Sequence, residues 1–356
     1  MRQEININGR LIGPGHPPYI VAEMSGNHNQ DIKRALRIID AAKAAGADAV
    51  KLQTYRADTI TIDHNSEEFT IKGGLWNGRR LYKLYEEAHT PWDWHAQMFE
   101  HAKRVGITLF SSPFDSTAVH FLESLGAPAY KIASPELVDI PLIRLVARTG
   151  KPVILSTGAA TLEEINEAVQ TARDAGATDL ILLHCTAAYP APFEEANLAT
   201  ITALANRFNV ITGLSDHTLG TTVATLAVGL GASFIEKHFT LARADGGVDS
   251  AFSMEPQELA ELVRAARIAQ VATGHPTFGP TASERSVLNN RRSIYVVKPV
   301  AKGELLTSEN IRSIRPAKGL KPRCLDSVLG KCAARDLAFG EPLQGDMIED
   351  WTEHLP

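Results

Sequence analysis

The sequence lacks the features that would assign it to several large classes of protein. It has only 3 cysteines, Cys185, Cys324 and Cys332, and they are widely spaced. This odd set indicates reduced thiols rather than a disulfide framework, so we expect a cytoplasmic protein. No apolar run approaches the roughly 20 residues that a membrane-spanning helix needs. The polar residues 1–8 lack the apolar core of a signal peptide.

An excess of positive charge is also missing. The formal net charge is -5 at pH 7, with 36 Lys and Arg against 41 Asp and Glu. This balance gives no electrostatic reason to expect a nucleic acid or an anionic membrane as a partner. The 356 residues suffice for one large domain and a small second one. We therefore expect small-molecule substrates.

What the chain does contain is a series of short apolar runs that end in polar residues. There are eight, separated by amphipathic stretches: Tyr19–Ser25, Ala49–Tyr55, Thr108–Phe114, Ala129–Glu136, Val153–Thr157, Leu180–Thr186, Ile211–His217 and Ser233–His238. Eight such alternations are typical of an α/β fold, the (β/α)8 TIM barrel, whose active site forms at the C-terminal strand ends. We predict a barrel over residues 1–280.

Periodicity and capping residues predict helices between the runs. Apolar spacing and start or stop residues indicate helices over Asp31–Ala45, Thr161–Ala175, Leu219–Leu230 and Pro256–Thr273. The segment Asp63–Thr90 interrupts this rhythm, because it is long and polar and contains Trp76. Long barrel loops often act as substrate lids, and we expect that role here.

The last part of the chain contains an internal repeat. The 12 residues from Val300 to Ile311 align without gaps on Leu337–Ile348, with matching Gly, Glu, Leu and Ile positions. Two copies predict a small pseudo-twofold β domain over 293–350. The polar stretch 281–292 is interpreted as a linker. Because this domain is so short, we expect it to need another surface for stability.

Two histidines close the last two apolar runs. His217 and His238 would meet over one site if their strands are neighbours, and two imidazoles plus water leave positions open for a Lewis-acid metal. An exchangeable divalent ion such as Mn²⁺ suits so few ligands. The alternatives are structural: His217 follows Asp216, a good helix N-cap, and His238 could be a hydrogen-bonded histidine at the barrel mouth.

Two lysines lie inside apolar runs, where lysine seldom occurs unless it is paired. Lys51 and Lys131 would either form structural ion pairs or hold a dianionic ligand. Short hydroxyl side chains at neighbouring strand ends favour phosphate and carboxylate binding. They are Ser112, Ser134, Ser156 and Thr157.

Carboxylates occur at the same strand ends. Glu23 and Glu136 could neutralise the lysines or transfer protons, and both functions can coexist. Asp249 follows the eighth run and would repel phosphate, so we interpret it as an acceptor for a sugar hydroxyl or a metal-bound water.

These residues resemble those of the sialic acid synthase family. The resemblance extends over essentially the whole chain and includes a C-terminal antifreeze-like (SAF, β-clip) domain. It rests on seven ordered strings, namely 22–29 (AEMSGNHN), 51–53 (KLQ), 111–114 (SSPF), 130–134 (YKIAS), 156–158 (STG), 213–218 (GLSDHT) and 236–240 (EKHFT). The strings 74–76 (GLW), 87–92 (EAHTPW) and 249–253 (DSAFS) are similar to the pseudaminate branch.

The resemblance implies a transferase reaction and a role for each site residue. Phosphoenolpyruvate would condense with the open-chain aldehyde of an N-acylated amino sugar, which for the pseudaminate branch is 2,4-diacetamido-2,4,6-trideoxy-L-altrose. The metal, most often Mn²⁺ in this family, would be held by His217 and His238. Glu23, Glu136 and Asp249 would be catalytic. Substrate binding would involve Lys51, Ser112, Lys131, Ser134, Ser156, Tyr189 and Ser215. Arg315 would enter the partner subunit's site, which implies a domain-swapped homodimer.

The chain departs from the family pattern at four positions. Ala187 stands where the family usually has Ser or Asn near the phosphate, so one polar contact is expected to be missing or replaced. Gln30 replaces a usual Gly, Val248 a Pro and Ala159 a Met. N-acetylneuraminate or legionaminate synthase is the alternative within this chemistry.

Two further alternatives come from other classes. A metal-dependent hydrolase barrel would need a His-x-His pair on the first strand, which is absent, and it would have no use for two strand lysines. A binding protein with an inert barrel would leave the charged residues at the strand ends unexplained.

Overall fold

The computed structural model describes residues 4–352. The chain divides into two compact units, one ending at Gly274 and the other beginning at His275. Within the described residues, no helix combines the length and the apolar character required to span a bilayer. All three cysteines are free.

The first unit is a closed barrel of eight parallel strands, which confirms the predicted TIM barrel. Each strand pairs with its sequence neighbour, and the last pairs with the first. The barrel strands are β3 (Tyr19–Glu23), β4 (Ala49–Thr54), β5 (Thr108–Pro113), β6 (Tyr130–Ile132), β7 (Val153–Ser156), β8 (Leu180–Cys185), β9 (Ile211–Asp216) and β10 (Phe234–His238). A hairpin of β1 (Ile5–Ile7) and β2 (Arg10–Ile12) precedes them.

The barrel interior is filled by apolar side chains that come mainly from the N-terminal parts of the strands. Tyr19, Phe110 and Phe234 are fully buried there, and the isoleucines of the β1–β2 hairpin belong to the same cluster. The polar side chains described below lie toward the C-terminal ends of the strands.

In the described part of the first unit, ten α-helices surround the barrel strands or lie in their connections. They are α1 (Ile32–Ala44), α2 (Ala57–Ile60), α3 (Leu81–Ala88), α4 (His95–Val105), α5 (Ser116–Ser124), α6 (Ile140–Ala147), α7 (Leu162–Asp174), α8 (Ala199–Phe208), α9 (Thr222–Gly229) and α10 (Pro256–Thr273). The capping box at Thr161 forms as the sequence predicts, since its hydroxyl accepts from the Glu164 amide.

The prediction of a helix from Leu219 was wrong at its start. Helix α9 begins at Thr222, because Gly220 has a positive φ of 73° that ends any continuous helical path. Asp216 is therefore not its N-cap; it accepts instead from the Thr218 amide and pairs with Lys237. The structural explanation of His217 as part of a helix cap is thereby removed.

The second unit contains the internal repeat. Strands β11 (Ser293–Val296) and β12 (Ile311–Ile314) pair antiparallel, followed by the short helix α11 (Leu325–Val328). Val300 and Leu337, which are equivalent in the repeat, exchange reciprocal backbone hydrogen bonds of 3.0 and 2.8 Å. This self-pairing of equivalent positions is what a pseudo-twofold axis requires.

Candidate active site

Polar side chains converge at the C-terminal end of the barrel because its parallel strands are in register. Glu23 on β3 lies between His238 of β10 and Lys51 of β4 in the strand pairing. Glu236 pairs with Ser215 of β9. Side chains alternate between the two faces of a strand, so these residues point inward while Lys237 points away and pairs with Asp216 at 2.7 Å.

The two strand lysines and two glutamates form one buried ion network. Lys51 Nζ lies 2.7 Å from Glu23 Oε2 and 3.6 Å from Glu236 Oε1, and Lys131 Nζ lies 2.5 Å from that same Glu236 oxygen. All four side chains are at most 4% exposed. The two positive charges balance the two negative ones. Such compensation is required because the buried groups have lost their hydration.

The pKa values of the two glutamates in this network are shifted in opposite directions. Burial opposes ionisation of Glu236, but Lys131 and Lys51 together hold its pKa below the ordinary value. Burial raises the pKa of Glu23, and the single close lysine, Lys51, does not offset it. Glu23 is therefore the member of the network that accepts a proton more readily.

Of the predicted substrate-binding serines, two contact the lysines of this network and two lie at the ends of other barrel strands. Ser112 Oγ accepts from Lys51 Nζ and Ser215 Oγ from Lys131 Nζ, both at 3.2 Å. Ser134 Oγ accepts from the Gly158 amide at 3.0 Å. Ser156 Oγ is buried, and within residues 4–352 it has no hydrogen-bond partner, so it can donate to an anionic ligand.

Thr157 does not belong with these donors. Its hydroxyl donates to the Leu183 carbonyl at 3.1 Å and so completes the backbone hydrogen bonding between β7 and β8. Ala187 follows β8 and lies beside Gly158 and Ser134. A side chain added at Gly158 would have its Cβ 3.1 Å from the Ala187 methyl group. An alanine at this position contributes no polar side chain to the site.

His217 and His238 lie together, with ring centroids 5.4 Å apart. The Nδ1 of His217 is 2.9 Å from the Thr186 carbonyl. A carbonyl can only accept, so Nδ1 carries the proton and the Nε2 lone pair is left for a ligand. Burial and the neighbouring His217 hold the pKa of His238 well below its ordinary value, so His238 is a neutral imidazole.

The chemistry of this histidine pair fits a divalent metal. Nδ1 of His238 is buried and lacks a hydrogen-bond partner in the described part of the chain. No group of three or more His, Cys, Asp or Glu side chains within residues 4–352 is arranged to hold a metal. A metal at the pair would therefore have two protein ligands and would keep positions for substrate and water.

Asp249 lies next to the histidines. One of its oxygens, Oδ2, accepts from the Ser25 hydroxyl and lies 3.8 Å from His238 Nδ1. Burial raises the pKa of Asp249 to about 6, with the Ser25 hydrogen bond opposing the rise. The carboxyl is thus suited to accept from a ligand hydroxyl or from a metal-bound water at neutral pH.

Glu136 is separate from the lysine network. Within the described residues no ion pair joins it to Lys51 or Lys131, so the structure gives no support to the counter-ion alternative. Its Oε2 is buried and has no hydrogen-bond partner among residues 4–352, and burial raises its pKa to about 7. A carboxyl that titrates near neutral pH suits proton transfer.

Replacing Glu136 by glutamine should stabilise the protein at pH 8 but not at pH 4.5. The pKa of Glu136 is about 7 in the folded state and near 4.5 in the unfolded state, so the folded state binds this proton more tightly. Ionisation of Glu136 therefore destabilises the fold, and the destabilisation grows as the pH rises from 4.5 to about 7. The ceiling of this cost is about 3 kcal/mol. Urea unfolding of both proteins at the two pH values measures it.

The exposed Glu167 provides the control for this prediction. A Glu167→Gln variant should show no pH-dependent difference from the wild type. Equal stability of the Glu136→Gln variant and the wild type at pH 8 would show that Glu136 is solvated and that its pKa is not raised toward 7.

An aromatic group borders the histidines. The Tyr189 ring is 4.3 Å from that of His217, and the Phe252 ring is 4.8 Å from that of His238. Trp76, from the 63–90 insertion, packs on Tyr189 at 5.5 Å. Tyr189 was expected at the sugar pocket; Phe252 was missed, although its place near Asp249 in the last barrel loop was a usable signal.

Sequence reasoning also missed Glu236 as a site residue. It is the carboxylate that joins both lysines, yet the run was interpreted only through His238. Strand alternation was the available signal, because residues two apart share a face. Gln53, whose amide donates to Glu23 Oε1 at 2.9 Å, was likewise overlooked.

Arg315 lies in the second unit, directly after β12, and its side chain is exposed. The structure therefore leaves its role as a substrate-binding residue a prediction.

Two of the positions that depart from the family pattern have a left-handed backbone conformation. Gln30 has a positive φ of 54° and Ala159 one of 58°, a conformation that costs a non-glycine residue about 1 kcal/mol. The Gln30 side chain compensates, since its amide donates to the carbonyls of Glu87 and His89 at 2.9 and 2.7 Å. These bonds hold the end of the 63–90 insertion against the first barrel loop.

Comparison with known proteins gives a consistent result. Residues 38–277 match the NeuB family and residues 291–349 match the SAF domain. The pseudaminic acid synthase of Campylobacter jejuni is 46% identical over 92% of this chain and 96% of its own length. That of Helicobacter pylori is 45% identical over 94% and 98%. The N-acetylneuraminic acid synthetase of Leptospira borgpetersenii superimposes with a TM-score of 0.72 at 34% identity, over 80% of this chain and 94% of that one.

Proposed function

The chain belongs to the NeuB family, and from this membership we propose that it is a pseudaminic acid synthase. It would condense phosphoenolpyruvate with 2,4-diacetamido-2,4,6-trideoxy-L-altrose and release pseudaminate and phosphate. The observation that carries the proposal is the buried set of Lys51, Lys131, Glu23 and Glu236 at the same end of the barrel as two histidines whose rings lie 5.4 Å apart. Lysines and hydroxyls suit the phosphate and carboxylate of the donor, and the histidines suit a metal at the aldehyde.

The lysine network would bind the phosphoenolpyruvate. Lys51 and Lys131 would turn from their glutamates toward the anionic substrate, with Ser112, Ser156 and Ser215 as further donors. Because the network is neutral without substrate, an added anion favours protonation of a carboxylate. Glu23, whose pKa is already raised, is the group that would take this proton.

Condensation would join C3 of the enolpyruvate to the aldehyde carbon, and water would add at C2 before the C–O bond to phosphate breaks. His217 and His238 would hold a divalent metal, most suitably Mn²⁺, which when bound would polarise the aldehyde oxygen. Glu136, with a pKa of about 7, would take the proton of the attacking water. Asp249 would orient a hydroxyl of the acceptor.

The proposed partner is a second copy of the chain. The second unit would supply Arg315 to the site of the partner subunit in a domain-swapped homodimer. Arg315 is exposed directly after β12, which supports this role, because an exposed guanidinium can donate hydrogen bonds to a carbonyl or carboxylate of a ligand.

The function is tested by measuring phosphate release from phosphoenolpyruvate and Mn²⁺ with each of three acceptors. These are the altrose derivative, N-acetylmannosamine and the legionaminate precursor. We expect release with the altrose derivative to exceed the others by at least about 10-fold, the discrimination that a pocket contact or two provides. Release only with N-acetylmannosamine or only with the legionaminate precursor would contradict the assignment, and no release with any acceptor would contradict the synthase chemistry.

A further inference from the structure

The aromatic residues beside the histidines form one continuous surface, which we call the aromatic wall. It consists of Trp76, Tyr189 and Phe252. The Tyr189 and Phe252 rings are 5.2 Å apart, and Trp76 lies 5.5 Å from Tyr189 and 6.4 Å from Phe252. Three mutual contacts at these distances make a packed aromatic cluster rather than three separate rings.

Trp76 offers a ligand no hydrogen bond. Its only polar atom, Nε1, donates to the Val248 carbonyl at 3.0 Å. That bond also ties the 63–90 insertion to the loop that carries Asp249. Phe252 has no polar atom, so two of the three members of the wall present only apolar surface.

The wall and the ion network give the site two sides of opposite character. Tyr189 and Phe252 contact the histidines, and Trp76 extends the apolar surface on the side of the insertion. The lysines, glutamates and serines supply the polar side. A ligand that spans both must carry polar groups at one side and an apolar group at the other.

We propose that Trp76 is a specificity-determining residue that selects an acceptor with a methyl group, rather than a hydroxymethyl group, at its terminal carbon. The inference rests on the proposed function and names the feature of the acceptor that the enzyme distinguishes. A hydroxyl placed against the indole face would lose its water and find no partner, whereas a methyl group would be buried favourably. An apolar pocket rejects one added hydroxyl by about 10- to 100-fold, so we expect a preference of that size.

The test compares 2,4-diacetamido-2,4,6-trideoxy-L-altrose with its 6-hydroxylated counterpart in the wild type and in Trp76→Ala, Trp76→Phe and Leu75→Ala variants. In Trp76→Ala the ratio of the two kcat/KM values should fall to within about 3-fold. KM for phosphoenolpyruvate should change by less than about 2-fold, because the Trp76 contacts described above are with Tyr189, Phe252 and the Val248 carbonyl and not with the lysines. Trp76→Phe, which keeps an aromatic face, should retain most of the preference. Leu75→Ala, at an exposed neighbouring position, should behave as the wild type.

Two results would overturn the inference. One is a wild-type ratio in Trp76→Ala. The other is an equal loss in Trp76→Phe and Trp76→Ala, which would assign the effect to the indole N–H bond with Val248. Failure of the proposed function would be seen differently, as no phosphate release by the wild type with either altrose sugar. Calorimetric binding of the two sugars to the Mn²⁺-loaded protein without phosphoenolpyruvate would then still measure the preference.

Discussion

Replacing His238 by alanine should lower metal-dependent turnover by at least about 10³-fold, because a Lewis-acid metal contributes several kcal/mol to the stabilisation of developing charge. One imidazole would remain, and a lone neutral ligand holds a divalent ion weakly. Phosphate release at saturating Mn²⁺ gives the rate, and metal analysis after gel filtration gives the retained ion. We expect the same loss for His217→Ala.

His184 on β8, the strand next to β9, offers a matched control. It is also a buried histidine, but its Nε2 is occupied by the Ala196 carbonyl at 2.7 Å. A His184→Gln variant should lose stability and keep its metal. Near-normal turnover in His238→Ala or His217→Ala would show that the histidine pair is structural.

The His238→Ala subunit also serves as the inactive partner for the shared-site proposal. Mixed with an Arg315→Ala variant, it should restore part of the activity, because a hybrid dimer has one site with both histidines and the partner's arginine. Lack of any recovery after subunit exchange would argue against the domain-swapped arrangement.

Replacing Lys131 by methionine should cost both stability and activity. Glu236 would keep only Lys51, 3.6 Å away, as its counter-ion. Breaking a buried pair by removing one partner costs about 3–5 kcal/mol, because the remaining charge is uncompensated. Activity should fall by at least about 10³-fold, since a dianionic substrate would lose one of its two cations. Chemical denaturation and kinetics at varied phosphoenolpyruvate concentration measure the two effects.

A second substitution separates the two roles of Lys131. In the double variant Lys131→Met with Glu236→Gln, the buried charge is gone, so most of the lost stability should return. Activity should stay low, because the substrate would still lack its cation. Recovery of near-normal activity together with stability would show that Lys131 is only a counter-ion of Glu236.

The site residues differ in how far the sequence could reveal them. Lys51 and Lys131 were recognisable because a lysine inside an apolar run is unusual, and the register of parallel strands then brings them to one end. Glu236 was not recognised: strand alternation places it on the same face as His238, but the sequence does not show the two lysines with which it pairs. Its role follows from which face of β10 it occupies and from the distance to two lysines on other strands.

Local signals failed where a tertiary contact overrides them. Asp216 has the residue type of a helix N-cap, yet Lys237 and the Thr218 amide hold its carboxylate, and α9 begins only at Thr222. Gln30 occupies a backbone conformation that favours glycine, because bonds to the 63–90 insertion compensate for it. The Asp216–Lys237 pair and the Gln30 bonds to residues 87 and 89 join residues that lie far apart in the chain.

The sequence by itself determined the barrel, the repeat in the second unit and the residue types at the strand ends. Strand and helix periodicity is local, and the pairing of successive parallel strands follows from it, so these features can be derived from residue order. The tertiary structure decided which carboxylate neutralises which lysine, which carboxyl titrates near neutral pH and where the aromatic wall lies. Those properties depend on burial and on distances between residues far apart in the chain, and burial changes the energy of a charge more than any local pattern can indicate.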